Sequence, residues 1–219
     1  MNALTRTHLG LIREIRSALG AAGIHWWLFG GWGLDARIGY VTRDHHDIEF
    51  WVFHEDADST REALMACGFE APESLHPEES QELLKDGVNA SSAFLRRNQD
   101  GSVGVRGRWS DWQFPPDAFQ QPPGRIDGLV VPAMSVEGML AMKVQFPALR
   151  HGRPLRDKDA EDIGVLRQLL DATDRATPSD ADGESPTGQL RQERMALRAA
   201  APGAKSFGVR IGFQQEEIL

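Results

Sequence analysis

The sequence predicts an α+β fold from three local patterns. Apolar residues recur every three or four positions between residues 9 and 22, which is the spacing of one buried helix face. Between residues 47 and 53 acidic and apolar side chains at first alternate, as they do in a half-buried strand. Residues 92–97 and 102–109 flank the turn sequence Asn-Gln-Asp-Gly and therefore predict a hairpin. Helices and strands both contribute, which favours α+β.

The remaining elements are predicted from apolar runs and from the residues that stop them. A short apolar run halts at a glycine pair, which predicts a buried strand that opens into a tight turn. Acidic residues in a first turn and a capping serine mark helix starts. The further elements are strands at 26–29 and 126–131, and helices at 32–38, 56–67, 135–146 and 158–170.

Composition changes near residue 171 and predicts a boundary there. Residues 171–202 are rich in small and polar side chains and in proline, with few large apolar groups to bury. We therefore expect one domain at 1–170 and a low-complexity C-terminal extension at 171–219, of which 171–184 is a linker or disordered. Residues 188–200 favour a short helix, and alternation at 207–213 favours a strand or docking segment.

Charge and cysteine content exclude several classes of protein. The chain of 219 residues has a net charge of -8, which argues against a nucleic-acid polymer as the main partner and favours a small molecule. Its single cysteine excludes an internal disulfide and a zinc ribbon. An apolar run long enough for a membrane span is missing from the sequence, and a cytoplasmic location is expected.

The sequence indicates a candidate metal and phosphate site that is formed by two acidic residues and a glycine pair. Asp47 and Glu49 are one residue apart on a predicted strand, so both carboxylates point to one face. Such oxygens suit Mg²⁺, which completes its coordination with substrate phosphates. Gly30 and Gly31 permit close approach of a phosphate, and the following helix directs N–H groups at an anion. The alternatives are a solvated strand face and a plain turn.

The longer string GGWGLDARIGYVTRDHHDIEF, at residues 30–50, resembles the nucleotidyltransferase superfamily. It is similar to the branch that includes lincosamide nucleotidyltransferases and aminoglycoside 2''-adenylyltransferases, in which Gly-Gly-Trp, Asp, Thr-Arg and His-x-Asp-h-Asp/Glu recur in this order. Residues 126–143 and 156–162 resemble that family's later strand, its Ser-capped helix with a lysine, and its R-x-K-D-x-x-D segment. The resemblance covers about residues 24–170 and implies a nucleotidyltransferase-like mixed sheet flanked by helices.

This resemblance also implies an activity and roles for individual residues. The reaction would transfer a nucleoside monophosphate from an NTP, with ATP expected, to a hydroxyl of a small molecule such as an antibiotic. Asp47 and Glu49 would hold Mg²⁺ and act in catalysis. Besides the glycine pair, Arg43, His46 and Lys143 would bind the nucleotide co-substrate, with Lys143 opposing the β- and γ-phosphate charge. The alternatives are a solvated lysine and a histidine bonded within its own loop.

The sequence departs from the family pattern at the third carboxylate. Family members commonly carry it within a hairpin, where this chain has Gly104, so Asp111 is a substitute candidate for the base and a turn residue is its alternative role. The departure motivates a second hypothesis, in which the protein is a catalytically impaired nucleotide-binding or interaction module, or has a changed reaction. The sequence leaves the acceptor, the preferred NTP and the oligomeric state open.

Two further groups near these motifs are predicted. Trp109, Trp112 and Phe114 form an aromatic cluster that either stacks on a base or sugar or packs in the core. Lys158 and Asp159 are expected to form a structural pair.

Overall fold

The structure is a computed structural model that describes residues 1–149 and 154–176. The chain divides into two compact units, Met1–Ser135 and Val136–Leu219. Among the helices in the described ranges, none combines the length and the apolar character that a membrane span requires.

The first unit begins with helix α1, Ala3–Ala21, which confirms the predicted periodicity. Asn2 caps the helix, because its side-chain oxygen accepts a hydrogen bond from the Thr5 N–H at 2.8 Å. One face of α1 is buried, by the residues Thr5, His8, Leu9, Leu11, Ile12, Ile15 and Leu19.

A strand–helix–strand unit follows and carries both motifs of the sequence. Strand β1 (Trp26–Leu28) pairs antiparallel with strand β2 (Asp47–Phe53), whose bounds are those predicted. Between them helix α2 spans Gly30–Ile38, so the helix begins at the glycine pair itself rather than at residue 32. The fold therefore brings the start of α2 close to the end of β2 at which the two acids lie.

The sheet of the first unit is mixed, as predicted. Strand β4 (Val88–Arg97) runs parallel to β2, and strand β3 (Ser80–Lys85) pairs antiparallel with β4. The order is β1-β2-β4-β3, and strand β5 (Val103–Val105) pairs antiparallel with the end of β4. The β4–β5 pairing confirms the predicted hairpin, although the second strand is short and Gly107–Trp109 form a 3₁₀ turn.

The strand predicted at 126–131 is wrong as a single element. The structure has two short strands there, β6 (Gly124–Ile126) and β7 (Leu129–Val131), which pair antiparallel. Asp127 and Gly128 have φ values of 47° and 79°, so the chain reverses between them. An Asp-Gly pair is a common two-residue hairpin turn because both positions tolerate positive φ.

The core of the first unit lies between the sheet and its helices. Helix α3, Ala57–Ala66, confirms the helix predicted at 56–67 and buries Thr60 and Leu64. Apolar side chains of α1, β1, β2 and β4 form one buried cluster with those of α3 and β7. Ile48 and Phe50 of β2 belong to this cluster, which fixes the other face of β2 toward the site described below.

The second unit contributes two helices to the described residues. Helix α4, Val136–Leu149, begins directly after Ser135, as predicted. Helix α5 spans Asp157–Ala176, so residues 171–176 are helical and the linker predicted to start at 171 is wrong at its beginning. The rest of the predicted extension, including the segments at 188–200 and 207–213, lies outside the described residues.

Candidate active site

Asp47 and Glu49 lie at the start of β2, and both are half-buried. Ile48 and Phe50, which alternate with them, are completely buried. This alternation confirms the expected shared face of the two carboxylates. A ligand can therefore reach both side chains from one side of the sheet.

Gly30 brings the start of α2 against Glu49. The Phe29 N–H donates to the Glu49 carbonyl at 3.0 Å, which continues the contact between the two strands. Gly30 then has φ of 62°, in the left-handed region that favours glycine. A β-carbon at Gly30 would collide with the Glu49 carboxylate. Glycine at this position thus places a helix N-terminus directly beside one of the two acids.

Gly31 makes room for a buried histidine, His45. A β-carbon at Gly31 would collide with the His45 ring. The ring is held in place, because Nε2 of His45 lies 2.6 Å from Oδ2 of Asp35, which is fully buried. The Thr42 hydroxyl donates to the other oxygen of Asp35 at 2.6 Å. The glycine pair therefore has a packing role in addition to any contact with a phosphate.

The loop between α2 and β2, residues 39–46, is also hydrogen-bonded to α1 and its capping residue. Asp44 accepts hydrogen bonds from the Asn2 side-chain amide at 2.7 Å and from the Thr5 hydroxyl at 2.9 Å. The loop is thus fixed both by its own helix, through Asp35, and by the first turn of α1.

Two adjacent histidines in this loop have different environments. His45 is buried and bonds to Asp35 of α2, whereas His46 is exposed. Arg43 is half-buried in the same loop. The predicted nucleotide contacts of Arg43 and His46 stay predictions.

Trp32 connects the His45 ring to α1. Its indole Nε1 donates to Nδ1 of His8 at 3.1 Å, and its ring centroid lies 4.5 Å from that of His45. His8 is fully buried, and burial together with the nearby His45 lowers the pKa of His8. Since Nδ1 accepts a hydrogen bond, the proton of neutral His8 is on Nε2.

Neighbouring strands extend the face of Asp47 and Glu49. Ser91 of β4 lies opposite Glu49, and Glu82 of β3 lies opposite Ser91. The Ser91 hydroxyl donates to Oε1 of Glu82 at 3.2 Å. Oε2 of Glu82 is buried and makes no hydrogen bond within the described part of the chain. We call Glu49, Ser91 and Glu82 the polar row.

Glu82 is absent from the predicted site because β3 is absent from the predicted elements. The signal was present, since Asp86 and Gly87 follow β3 and have φ values of 53° and 75°. An Asp-Gly pair between two strand-like runs predicts a two-residue hairpin. That hairpin would have placed Glu82 on a strand beside Ser91.

The position at which the sequence lacks a third carboxylate, Gly104, does not lie beside the acidic pair. Gly104 is opposite Arg96 in the β4–β5 pairing, beyond the last pairing of β2 with β4. Asp47 and Glu49 take part in the first and the third pairings of β2 with β4, at the other end. A β-carbon at Gly104 would lie 3.1 Å from Nε of Arg96. A carboxylate introduced there would meet this arginine instead of a metal held by the pair.

Asp111 lies at the same end of β4 as Gly104. It is exposed, and the carbonyl of the preceding residue, Ser110, accepts a hydrogen bond from Nη2 of Arg96 at 2.6 Å. This geometry fits the turn residue that was the alternative interpretation. A catalytic role for Asp111 stays a prediction.

Within the aromatic cluster Phe114 is buried, whereas Trp109 and Trp112 are half-buried. Phe114 is buried, and its ring centroid lies 5.4 Å from that of Trp51 and 5.1 Å from that of Trp112. For Phe114 the structure therefore supports packing. The segment is anchored by buried Glu79, which accepts hydrogen bonds from the Arg108 backbone and guanidinium at 2.7–2.9 Å.

In the second unit Lys143 is buried and contacts two carboxylates. Its ammonium lies 3.2 Å from Asp159 and 2.8 Å from Asp162. Arg156 also pairs with Asp159, at 2.7 Å. The alternative of a solvated lysine is wrong, and so is the expected pair of Asp159 with Lys158, which is exposed. Contact between Lys143 and a nucleotide stays a prediction.

Comparison with known proteins decides the family. The sequence profile of the aminoglycoside-2''-adenylyltransferase family matches residues 11–166. This chain belongs to that family. The matched range contains the glycine pair, both acids of β2, and the Lys143 cluster.

Curated relatives of this family member match over a short stretch. A 2''-aminoglycoside nucleotidyltransferase from Klebsiella pneumoniae is 44% identical over 43 residues, which is 20% of this chain and 24% of the relative. A protein of the same name from Escherichia coli matches to the same extent. The match thus spans about a quarter of the length of these relatives.

Two solved structures share the fold of this family member. The crystal structure of ANT(2'')-Ia in complex with adenylyl-2''-tobramycin has a TM-score of 0.65 at 19% identity, covering 88% of this chain and 97% of that one. The lincomycin-bound lincosamide adenylyltransferase LnuA has a TM-score of 0.59 at 22% identity, covering 77% and 99%. These likenesses confirm the nucleotidyltransferase fold.

The donor set of this family member fits Mg²⁺ that is completed by a ligand. The described residues contain no group of three or more His, Cys, Asp or Glu side chains arranged to hold a metal ion. Asp47 and Glu49 offer two carboxylates on an accessible face, and Mg²⁺ binds one or two protein carboxylates plus phosphate oxygens and water. The site is therefore suited to a metal that arrives with a triphosphate.

Proposed function

We propose that this chain transfers a nucleoside monophosphate from ATP to a hydroxyl group of a small-molecule antibiotic and releases pyrophosphate. The observation that carries the proposal is the contact between the start of α2 and Glu49 of β2, made at Phe29 and Gly30. A triphosphate needs a metal to neutralise its charge and N–H donors to orient its oxygens. One strand–helix–strand unit offers both the carboxylates that would hold the metal and the N–H donors.

The chain's residues would divide the work as follows. Asp47 and Glu49 would hold Mg²⁺, which when bound neutralises triphosphate charge and polarises the phosphoryl group. Backbone N–H groups at the start of α2 would orient phosphate oxygens. His45 and Asp35 keep this helix start and the adjoining loop in one arrangement, so the donors need no reorganisation during the reaction. The acceptor oxygen bonds to the α-phosphorus as the bond to pyrophosphate breaks.

The acceptor class follows from the family and from charge. An aminoglycoside is the first candidate, since the family is named for 2''-adenylyl transfer to that class and one structural neighbour holds an adenylylated tobramycin. A net charge of -8 also favours a cationic acceptor. Partners beyond the NTP and this small molecule are not required. The cytoplasmic location expected from the sequence stays a prediction.

The test uses the full chain with Mg²⁺ and ATP, and tobramycin or lincomycin as separate acceptors. Pyrophosphate release and a product mass increased by one adenylyl group are the expected results. Asp47→Asn, which keeps the side-chain shape, serves as the matched inactive control. Binding of Mg²⁺–ATP without transfer to either antibiotic, or to a wider panel of hydroxyl-bearing antibiotics, would instead support the nucleotide-binding module.

A further inference from the structure

The polar row contains a carboxylate for which the proposed metal site has no use. Glu82 lies on β3, two strands away from Glu49, with Ser91 between them. The described residues contain no group of three or more His, Cys, Asp or Glu side chains arranged to hold a metal ion. Glu82 is therefore not placed as a third ligand beside Asp47 and Glu49.

Two contacts assign Glu82 to Ser91 instead. The Ser91 hydroxyl donates to Oε1 of Glu82 at 3.2 Å, so the serine oxygen keeps its lone pairs for another donor. Oε2 of Glu82 is buried with no hydrogen-bond partner in the described ranges, and a buried acceptor in that state costs free energy. If Glu82 served only to orient Ser91, the fold would gain nothing from a buried Oε2 without a hydrogen-bond partner.

The charge of the polar row indicates which substrate it meets. Carboxylate oxygens only accept hydrogen bonds, and they repel phosphate oxygens. The single O–H of Ser91 is already donated to Glu82, so the row can accept a further hydrogen bond, and a hydroxyl-bearing acceptor offers the donor for it. Because Ser91 lies opposite Glu49 on the parallel strand, an acceptor hydroxyl bound at Ser91 would lie next to the metal pair.

We propose that Ser91 and Glu82 form a two-residue relay that removes the proton of the acceptor hydroxyl; this inference rests on the proposed transfer reaction. The acceptor O–H donates to Oγ of Ser91, and the Ser91 O–H donates to Oε1 of Glu82. As the acceptor oxygen bonds to the α-phosphorus and pyrophosphate leaves with its bonding electron pair, the acceptor proton passes to Ser91. The proton of Ser91 passes to Glu82. The relay supplies the base that the hairpin position Gly104 does not.

The test compares Glu82→Gln and Ser91→Ala with the wild type in the transfer assay with tobramycin, or with whichever antibiotic of the panel the wild type modifies. Each variant should lose roughly 10²-fold in kcat, because a positioned base is typically worth 10²–10⁴-fold. The double variant should lose little more than either single variant, since the residues act as one unit. The KM for Mg²⁺–ATP, and its affinity measured by titration without acceptor, should stay unchanged.

A rescue variant distinguishes proton transfer from a structural role. Ser91→Asp in the Glu82→Gln background puts a carboxylate directly at the position opposite Glu49, and we expect it to recover much of the lost kcat. Ser92→Ala is the matched control, because Ser92 lies on the same strand and is completely buried on the other face. It should keep the wild-type kcat.

The outcomes separate the two proposals. If the wild type transfers no nucleotide to any acceptor, the proposed function fails and the relay fails with it. If the wild type is active and both Glu82→Gln and Ser91→Ala keep its kcat, only the relay is overturned. Loss of Mg²⁺–ATP affinity in Ser91→Ala would also overturn the relay, because it would assign the row to the nucleotide.

Discussion

Two acidic pairs, one in each unit of this protein, lie in contrasting environments. In the second unit Asp159 and Asp162 are almost completely buried, and Lys143 contacts both of them. In the first unit Asp47 and Glu49 remain half-buried at the start of a strand. A buried charge must be compensated within the protein, whereas a partly exposed one is accessible to a cation from solvent. The contrast separates acids that stabilise a fold from acids that are available to a ligand.

The largest expected effect concerns the accessible acids. Asp47→Asn with Glu49→Gln should reduce nucleotide transfer by about 10³-fold or more, because metal binding supplies several kcal/mol of charge stabilisation. The melting temperature should change little, since both side chains are half-buried. Transfer rate and thermal unfolding are measured on the same preparation. Full activity in the double variant would contradict the proposed metal site.

The buried acids should show the opposite pattern. Asp159→Asn removes a negative charge that compensates the positive charges of Lys143 and Arg156. It should therefore lower the free energy of unfolding by roughly 3 kcal/mol. Glu161→Gln, an exposed change on the same helix, is the control and should stay within about 0.5 kcal/mol of wild type. Urea unfolding measures both. Equal stability of the two variants would mean that the buried cluster is not structural.

The glycine pair offers a test of packing that is independent of any ligand. Gly31→Ala should cost roughly 1–3 kcal/mol, because its β-carbon collides with a ring that Asp35 holds in place. In a His45→Ala background the same change should cost much less. A double-mutant cycle on unfolding free energies measures the coupling. An identical cost in both backgrounds would show that His45 is not what requires glycine there.

A decrease in pH is expected to have a smaller effect on the free energy of unfolding. Burial alone would raise the pKa of Asp159, but hydrogen bonds from Arg156 and the charges of Lys143 and Arg156 outweigh it and lower this pKa from 3.8 to about 2. The unfolded chain therefore binds the proton first as pH falls. The stabilisation is complete above about pH 4 and is lost toward pH 2, and it amounts to about 2 kcal/mol.

Unfolding measured across that range tests this linkage. In the Asp159→Asn variant the acid-dependent loss should be smaller by that amount. A wild type and a variant with parallel pH profiles would contradict the assignment of the effect to Asp159.

Local periodicity predicted most of the helices and strands. The prediction succeeded for elements that have one buried side. The bounds of β2 came from its alternation, and α1 from its apolar spacing, because both patterns are imposed by a core on one side. Strand β3 lacks this contrast, since Leu83 is its only buried residue. The Asp-Gly turn after β3 was the better signal, and the same signal at Asp127 marks the missed break between β6 and β7.

The motifs of the candidate site were predictable from the sequence, whereas the residues that other strands and helices bring next to them were not. Asp47, Glu49 and the glycine pair are close in sequence, so spacing alone placed them together. Glu82 reaches them through strand pairing, and register between distant segments is not encoded in local spacing. For the same reason the sequence did not show that Gly104 pairs with the end of β4 that is far from Asp47 and Glu49. Lys143 was recognised, but its two acidic partners depend on how two helices pack.

The hydrogen bonds that hold the loop at residues 39–46 have a consequence for the rate of ligand association. Asp35 holds Thr42 and His45, and Asp44 is held by the first turn of α1. Ordering a residue's backbone costs about 1–2 kcal/mol, and for these residues that entropy is lost when the chain folds. The nucleotide capture proposed at the start of α2 would then require no disorder-to-order step in this loop. Its association rate should therefore follow diffusional encounter and depend on salt rather than on viscosity-limited loop closure.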